Sequence, residues 1–159
     1  MLILGNRFGW NKRAAKPYFA EIDPSVLLPG DVIVTRGANK TVNWLIPGRY
    51  SHCLIYVGGG ACVHAIPPTV CRQALSDIPY FAKEYRLLRH ADYNTAEHAV
   101  ARALEHLGQL YDYSFTRYPK SKAMYCTELV LAAYGLRVSQ RTGRVVMPDE
   151  LLSLFEEVG

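Results

Sequence analysis

Tyr50-Ser51-His52-Cys53-Leu54-Ile55-Tyr56-Val57-Gly58-Gly59-Gly60-Ala61-Cys62-Val63-His64-Ala65-Ile66 is the stretch on which the fold turns. It reads as a hairpin: a strand over 51–57, a three-glycine loop, and a strand over 61–66. Pro67-Pro68 stops the second strand, because proline has no N–H to give to a ladder. A three-residue loop sets Val57 opposite Ala61, Leu54 opposite His64 and His52 opposite Ile66. Directly opposed residues share a sheet face, so His52 and His64 become diagonal neighbours on one side. Their Cβ atoms then lie roughly 7 Å apart, within reach of a ring-to-ring contact. A loop of two or four residues would flip that relation.

Far along the chain, Tyr125-Cys126-Thr127-Glu128-Leu129-Val130 places a cysteine where an extended approach turns into a helix. A thiol at a helix N-terminus has its thiolate favoured by the dipole and by free backbone N–H groups. An imidazole on a rigid strand is the natural base for it. The residues therefore suggest a relay in which Cys126 attacks, His52 takes its proton, and His64 orients His52 through the second ring nitrogen. The backbone N–H of Cys126 is a natural oxyanion donor, since the first N–H groups of a helix have no internal partner. Tyr50 or Tyr125 is a candidate second donor or substrate contact. Each part also has an ordinary reading, with the histidines as polar strand ends, the cysteine as core and the tyrosines as packing. On the residues alone the two readings stand level.

The 159 residues fit one domain, with half of them apolar and a fifth charged. A net charge of +4 is a mild basic excess, of the size that surplus surface lysine produces. It offers no nucleic-acid signal. No run reaches the roughly 18–20 apolar residues of a membrane span. Met1-Leu2-Ile3-Leu4 falls short of a signal-peptide core of roughly 7–15 residues. The expectation is a chain that starts in the cytoplasm, including a phage-encoded protein or an effector exported by a dedicated system. Arg7, Lys12, Arg13 and Lys16 around Phe8 and Trp10 read as part of an N-terminal arm over 1–27, ahead of a single domain over 28–159. Cys53, Cys62 and Cys71 recur with His52 and His64 among them, but without the close pairs that structural zinc uses, so no metal is expected. Buried thiols serving as small apolar fillers are the simpler account.

The remaining elements come from periodicity and punctuation. Asp31–Thr35 reads as a strand after the Leu28-Pro29-Gly30 turn, and 38–46 as a short helix carrying Val42, Trp44, Leu45 and Ile46. A short extended piece over 69–72, a helix start at Ser76-Asp77-Ile78-Pro79 and a strand over 84–90 follow. Asn94 with Glu97 suggests the cap of a helix running to about 107, with Ala99, Val100, Ala103, Leu104 and Leu107 on its apolar face. A second helix over 126–134 and a third from Met147, with Leu151, Leu152, Leu154 and Phe155, complete the chain. The class is α+β, mostly antiparallel strands with packed helices.

At this level the sequence resembles a known family. Leu28-Pro29-Gly30-Asp31-Val32-Ile33 is similar to its opening strand, and Tyr50-Ser51-His52 with Leu54-Ile55-Tyr56-Val57-Gly58 to its histidine strand. Gly108-Gln109-Leu110-Tyr111-Asp112, Tyr125-Cys126-Thr127-Glu128-Leu129-Val130 and Met147-Pro148-Asp149-Glu150-Leu151 are similar to its later motifs, in the same order. These belong to the circularly permuted branch of the NlpC-type papain-like cysteine peptidases, the YiiX/YaeF-like proteins related to lecithin–retinol acyltransferase. The resemblance implies a permuted papain-like fold, a mostly antiparallel sheet or barrel packed on helices. Its nucleophile helix lies C-terminal to the histidine-bearing strands.

It implies Cys126 as nucleophile, His52 as base and, where relatives often carry glutamate, His64 as third member. Asp112 matches a recurrent residue, read as structural, accepting from nearby N–H groups or Arg117. The activity implied is a cysteine peptidase or amidase working through a thioester without a cofactor. Its substrate would be a small peptide, a peptidoglycan fragment or an amino-acid conjugate. A lipid-directed thiol acyltransferase or esterase, and a non-catalytic binding module, are the alternatives. Metal bound by His52, Cys62 and His64 is the weakest reading. Specificity would come from loops near 36–49, 67–80 and 112–124.

Overall fold

Alternating apolar residues in the first two strands decide the layering, because each strand has core on both of its faces. Val32 and Val34 of β1 (Val32–Gly37) point to one side and Ile33 to the other. In β2 (His52–Gly58), Cys53 and Ile55 share the side of Val32, while Leu54 and Tyr56 share that of Ile33. The computed structural model describes residues 22–37, 46, 48–80, 82–113, 123–136 and 145–158. Of the expected short helix over 38–46, only Ile46 falls within them.

With β3 (Ala61–Ile66), β4 (Thr69–Ala74), β5 (Ala82–Arg89) and the short β6 (Glu156–Glu157), the strands form one six-stranded sheet. Its order is β4-β3-β2-β1-β5-β6, and every named pair is antiparallel. Helices α1 (Tyr93–Glu105) and α2 (Cys126–Tyr134) cover one face through Ala96, Ala99, Ala103, Leu129, Val130 and Ala133. The other face is closed by Leu75 and Ile78, from the 3-10 turn Leu75–Tyr80, and by Ile22 and Leu27. The last two belong to the segment expected as an arm over 1–27. Residues 1–21, with Arg7, Phe8, Trp10, Lys12, Arg13 and Lys16, lie outside the described residues.

The hairpin reaches the expected register by a different route. Gly58, not Val57, pairs with Ala61, and a bulge between Tyr56 and Gly58 leaves Val57 as the extra residue. The turn is the two residues Gly59 and Gly60, at φ of 59° and 70°. Two consecutive positive-φ residues give the mirror-image turn that matches strand twist, and only glycine adopts it freely. A two-residue turn alone would shift the pairing by one residue; the bulge shifts it back. Ile55 therefore faces Val63 and Tyr56 faces Cys62, as the longer loop would have given.

Other expectations are corrected in detail. Asp92, not Asn94, caps α1, its Oδ2 accepting from the Thr95 N–H at 2.8 Å. The buried face of α1 is alanine, and Leu104 and Leu107 are 39% and 42% exposed. At Ala96 the packing is close: a Cβ on Gly30 (φ 96°) would lie 2.7 Å from the Ala96 Cβ. The segment from Met147 forms a 3-10 turn, Pro148–Ser153, burying Leu151 and leaving Leu152 and Leu154 outside. The extended piece near 69 is the full edge strand β4.

Candidate active site

Cys126 is the first residue of α2 and is buried, 7% exposed. Tyr125 precedes it in extended conformation, and the Glu128 Oε2 accepts the Tyr125 N–H at 3.2 Å, closing the start of the helix. The approach is braced from the side. Tyr111 bridges to Met124, the Asp112 N–H donates to the Met124 carbonyl at 3.2 Å, and the Met124 N–H donates to that of Leu110 at 2.9 Å. Asp112 is buried there, 4% exposed. Arg117, its other expected partner, lies outside the described residues.

His52 opens β2. Its Nε2 lies 2.8 Å from His64 Nδ1, with the two rings edge to face at 5.1 Å between centroids. The hairpin register thus brings the two histidines together. His64 is wholly buried, and burial first, then the neighbouring His52 charge, hold it well below the usual imidazole range. It is therefore the neutral partner. With Nε2 engaged, Nδ1 is the ring nitrogen His52 has left for Cys126.

The Cys126 thiol is held well below its ordinary value. The first cause is a hydrogen bond from the Cys53 side chain; burial opposes it, and the charge and hydrogen bond of His52 add to it. Cys53 is pushed the other way, by complete burial and by its hydrogen bond with Cys126, so it remains the protonated donor. Consecutive residues of β2 thus both reach the thiol. Thr127 Oγ1 stands 3.9 Å from the sulfur. Tyr111 is raised by burial and by the Cys126 charge, and its ring packs edge-on against Tyr113 at 5.3 Å. Burial pushes Cys62 up to about 12 and Cys71 up to about 11, which leaves both as inert thiols near neutrality.

Tyr50 and Tyr125 are buried at 2% and 3% exposure, and both hydroxyls have structural partners. The Tyr50 hydroxyl donates to Glu84 Oε1 at 3.4 Å, and that of Tyr125 accepts from the Val146 N–H at 3.2 Å. Asp149 has a place that motif spacing does not reveal. Its Oδ1 and Oδ2 accept the Tyr50 and Arg49 N–H groups, each at 2.7 Å, tying the C-terminal 3-10 turn to the chain just ahead of His52. Cys53 was legible only as a core filler. Nothing in a single chain marks it as neighbour to a residue 73 positions away.

A histidine-bearing antiparallel sheet followed in the chain by a cysteine-headed helix is the permuted papain-like arrangement. Residues 26–152 match the model of the permuted papain-like amidases, the YaeF/YiiX or C92 family, and the chain belongs to that family. This makes it a member of a family of cysteine peptidases and amidases. Among solved structures it is similar to the metalloprotein yiiX from Escherichia coli O157:H7. The two are 22% identical with a TM-score of 0.57, over 69% of this chain and 68% of that one, a likeness of fold. No curated protein matches the chain. Among the described residues no three His, Cys, Asp or Glu side chains converge as a metal-ligand set, and His52 and His64 spend a ring nitrogen each on one another. Nor, among those residues, is any helix long and apolar enough to cross a membrane.

Proposed function

We propose that the protein is a thiol-dependent hydrolase that cleaves an amide bond through a thioester on Cys126. One observation carries the reading: His52 Nε2 lies 2.8 Å from a buried, neutral His64, and the Cys126 thiol is held well below its ordinary range in part by the charge and hydrogen bond of His52. The Cys126 thiolate attacks the amide carbonyl, and the oxyanion gathers at the helix N-terminus, where the Cys126 N–H is free of intrahelical bonding. The His52 imidazolium then gives its Nδ1 proton to the departing amine as the C–N bond breaks, leaving the acyl group on sulfur. Neutral His52 next takes a proton from water, and the hydroxide attacks the thioester. The acid leaves and the thiolate–imidazolium pair is restored. His64 accepts from His52 Nε2–H throughout and keeps the ring aimed at the sulfur.

Family membership supports a peptide-type substrate, and we place it among peptidoglycan peptides or amino-acid conjugates. The first test is alkylation of Cys126 across pH. The wild type reacts well below the ordinary thiol range near ~8.5, His52→Ala loses that advantage, and Cys126→Ser sets the background from the other thiols. A Cys126 that titrates like a free thiol and ignores His52 makes the chain a binding module on a hydrolase fold. Release of amines from muropeptides, measured beside release of fatty acid from phospholipid vesicles, then fixes the substrate class. Turnover of the vesicles alone would move the reading to a lipid acyltransferase or esterase.

A further inference from the structure

We propose that Gln73 is a positioning residue, whose side-chain oxygen accepts the Nε2–H of His64 and so fixes the tautomer on which His52 depends. The inference rests on reading His52 as the base for Cys126. In the thiolate–imidazolium pair both nitrogens of His52 carry protons. Its Nε2–H must donate to His64 Nδ1, 2.8 Å away, so that nitrogen has to be bare. A neutral His64 then carries its proton on Nε2. His64 is 0% exposed, so that N–H needs an acceptor from the protein.

The β3–β4 register supplies one. His64 pairs with Cys71 and Cys62 with Gln73, so Gln73 is the diagonal same-face neighbour of His64. The relation repeats the one that joins His64 to His52 across the hairpin. The Gln73 Oε1 is buried and accepts no hydrogen bond from any described group, and the Gln73 side chain raises His64 against the effect of its burial. An amide is suited to the place because it accepts without bringing a second charge into the interior. The relay Cys126–His52–His64–Gln73 thus crosses three adjacent strands, and its last member sits on edge strand β4.

Long-range 1H–15N correlation spectra of 15N-histidine-labelled protein read the tautomer directly, with His64→Gln assigning the signals. In the wild type, His64 Nε2 is protonated and Nδ1 bare. Gln73→Leu, which removes the acceptor, gives a mixture of tautomers and slows alkylation of Cys126. The expected loss is that of a histidine deprived of its orienting partner, roughly 10- to 100-fold. Gln73→Glu keeps an acceptor oxygen and retains the wild-type signature of a proton on His64 Nε2, which a purely structural role would not produce. A wild-type His64 protonated on Nδ1 overturns the proposal, and this holds even if Gln73→Leu fails to fold. So does a folded Gln73→Leu with both readouts unchanged. The two readings fail separately. An ordinary Cys126 thiol with a His64 tautomer still governed by Gln73 sinks the hydrolase and leaves the Gln73 contact standing.

Discussion

The sheet keeps two anionic groups out of water, one at each end of the β1–β2 pairing, and it treats them oppositely. Asp31, 1% exposed, lies just before β1 and is saturated. Arg89 Nε and Nη2 reach its two carboxylate oxygens at 2.8 and 2.7 Å, and the Leu28 N–H adds a third bond at 2.9 Å. A forked guanidinium cannot give up its proton, so this charge is fixed. Cys126, at the His52 end, is held by a thiol and an imidazole instead. Neither partner brings a fixed charge to it, and sulfur accepts hydrogen bonds weakly. The first arrangement stores stability; the second, on the proposed reading, leaves a thiolate poised to react.

The largest way to break that contrast is at the reactive end. Cys126→Ser and His52→Ala should each lower amide turnover by at least about a thousandfold, since members of a catalytic set act as a unit. Their urea midpoints should stay near that of the wild type. A variant turning over within tenfold of wild type would remove that residue from the chemistry. The reverse experiment is Arg89→Ala. It strands a buried carboxylate and should cost about 3 kcal/mol in urea unfolding, while the rate of Cys126 alkylation holds. A cost below about 1 kcal/mol would mean Asp31 is sustained without its guanidinium.

What the sequence revealed divides along the same line. Pairing of His52 with His64 follows from strand alternation and a hairpin, both local, and it survived a mistaken turn because the Val57 bulge compensated a shorter loop. The start of α2 at Cys126 and its end at Gly135 were likewise local signals. Illegible were the contacts that depend on tertiary approach. Cys53 meets Cys126 because α2 lies across β2, and Asp149 reaches Arg49 and Tyr50 from a hundred residues away. The apolar face of α1 was read in part: Ala99 and Ala103 are buried as expected, while Leu104 and Leu107 are exposed. Hydrophobicity selected Leu104 and Leu107, whereas Ala96, close against Gly30, went unselected.

A subtler probe uses the neutral histidine. His64 is depressed in the folded state by burial and by His52, so between its ordinary value near ~6.5 and its folded value the unfolded chain binds a proton that the native one refuses. Stability from this site is therefore full above about pH 6.5 and declines as pH falls, by up to about 1.4 kcal/mol per unit. Urea melts from pH 7 to pH 5 should show that slope in Cys126→Ser, where the thiolate contributes nothing, and a flatter one in Cys126→Ser/His64→Gln. Equal slopes would mean that His64 titrates alike in both states.

The smallest expected effect comes from the neighbour of His52 on the next strand. Thr35 pairs with His52 on one side and with Tyr85 on the other, is 0% exposed, and its Oγ1 has no hydrogen-bond partner among the described residues. A buried hydroxyl without a partner carries its desolvation cost uncompensated. Thr35→Val keeps the β-branched shape that suits a strand and deletes the polar atom. It should stabilise the protein by about 1 kcal/mol, raising Tm by roughly 2–4 °C for a chain of this size. Cys126 alkylation should be unchanged. If valine instead destabilises the fold and slows the thiol together, Thr35 shares the hydrogen bonding of His52, and the polar network at this end extends onto β1. If stability rises and the thiol is untouched, the network runs in one direction only, from His52 toward β3 and β4.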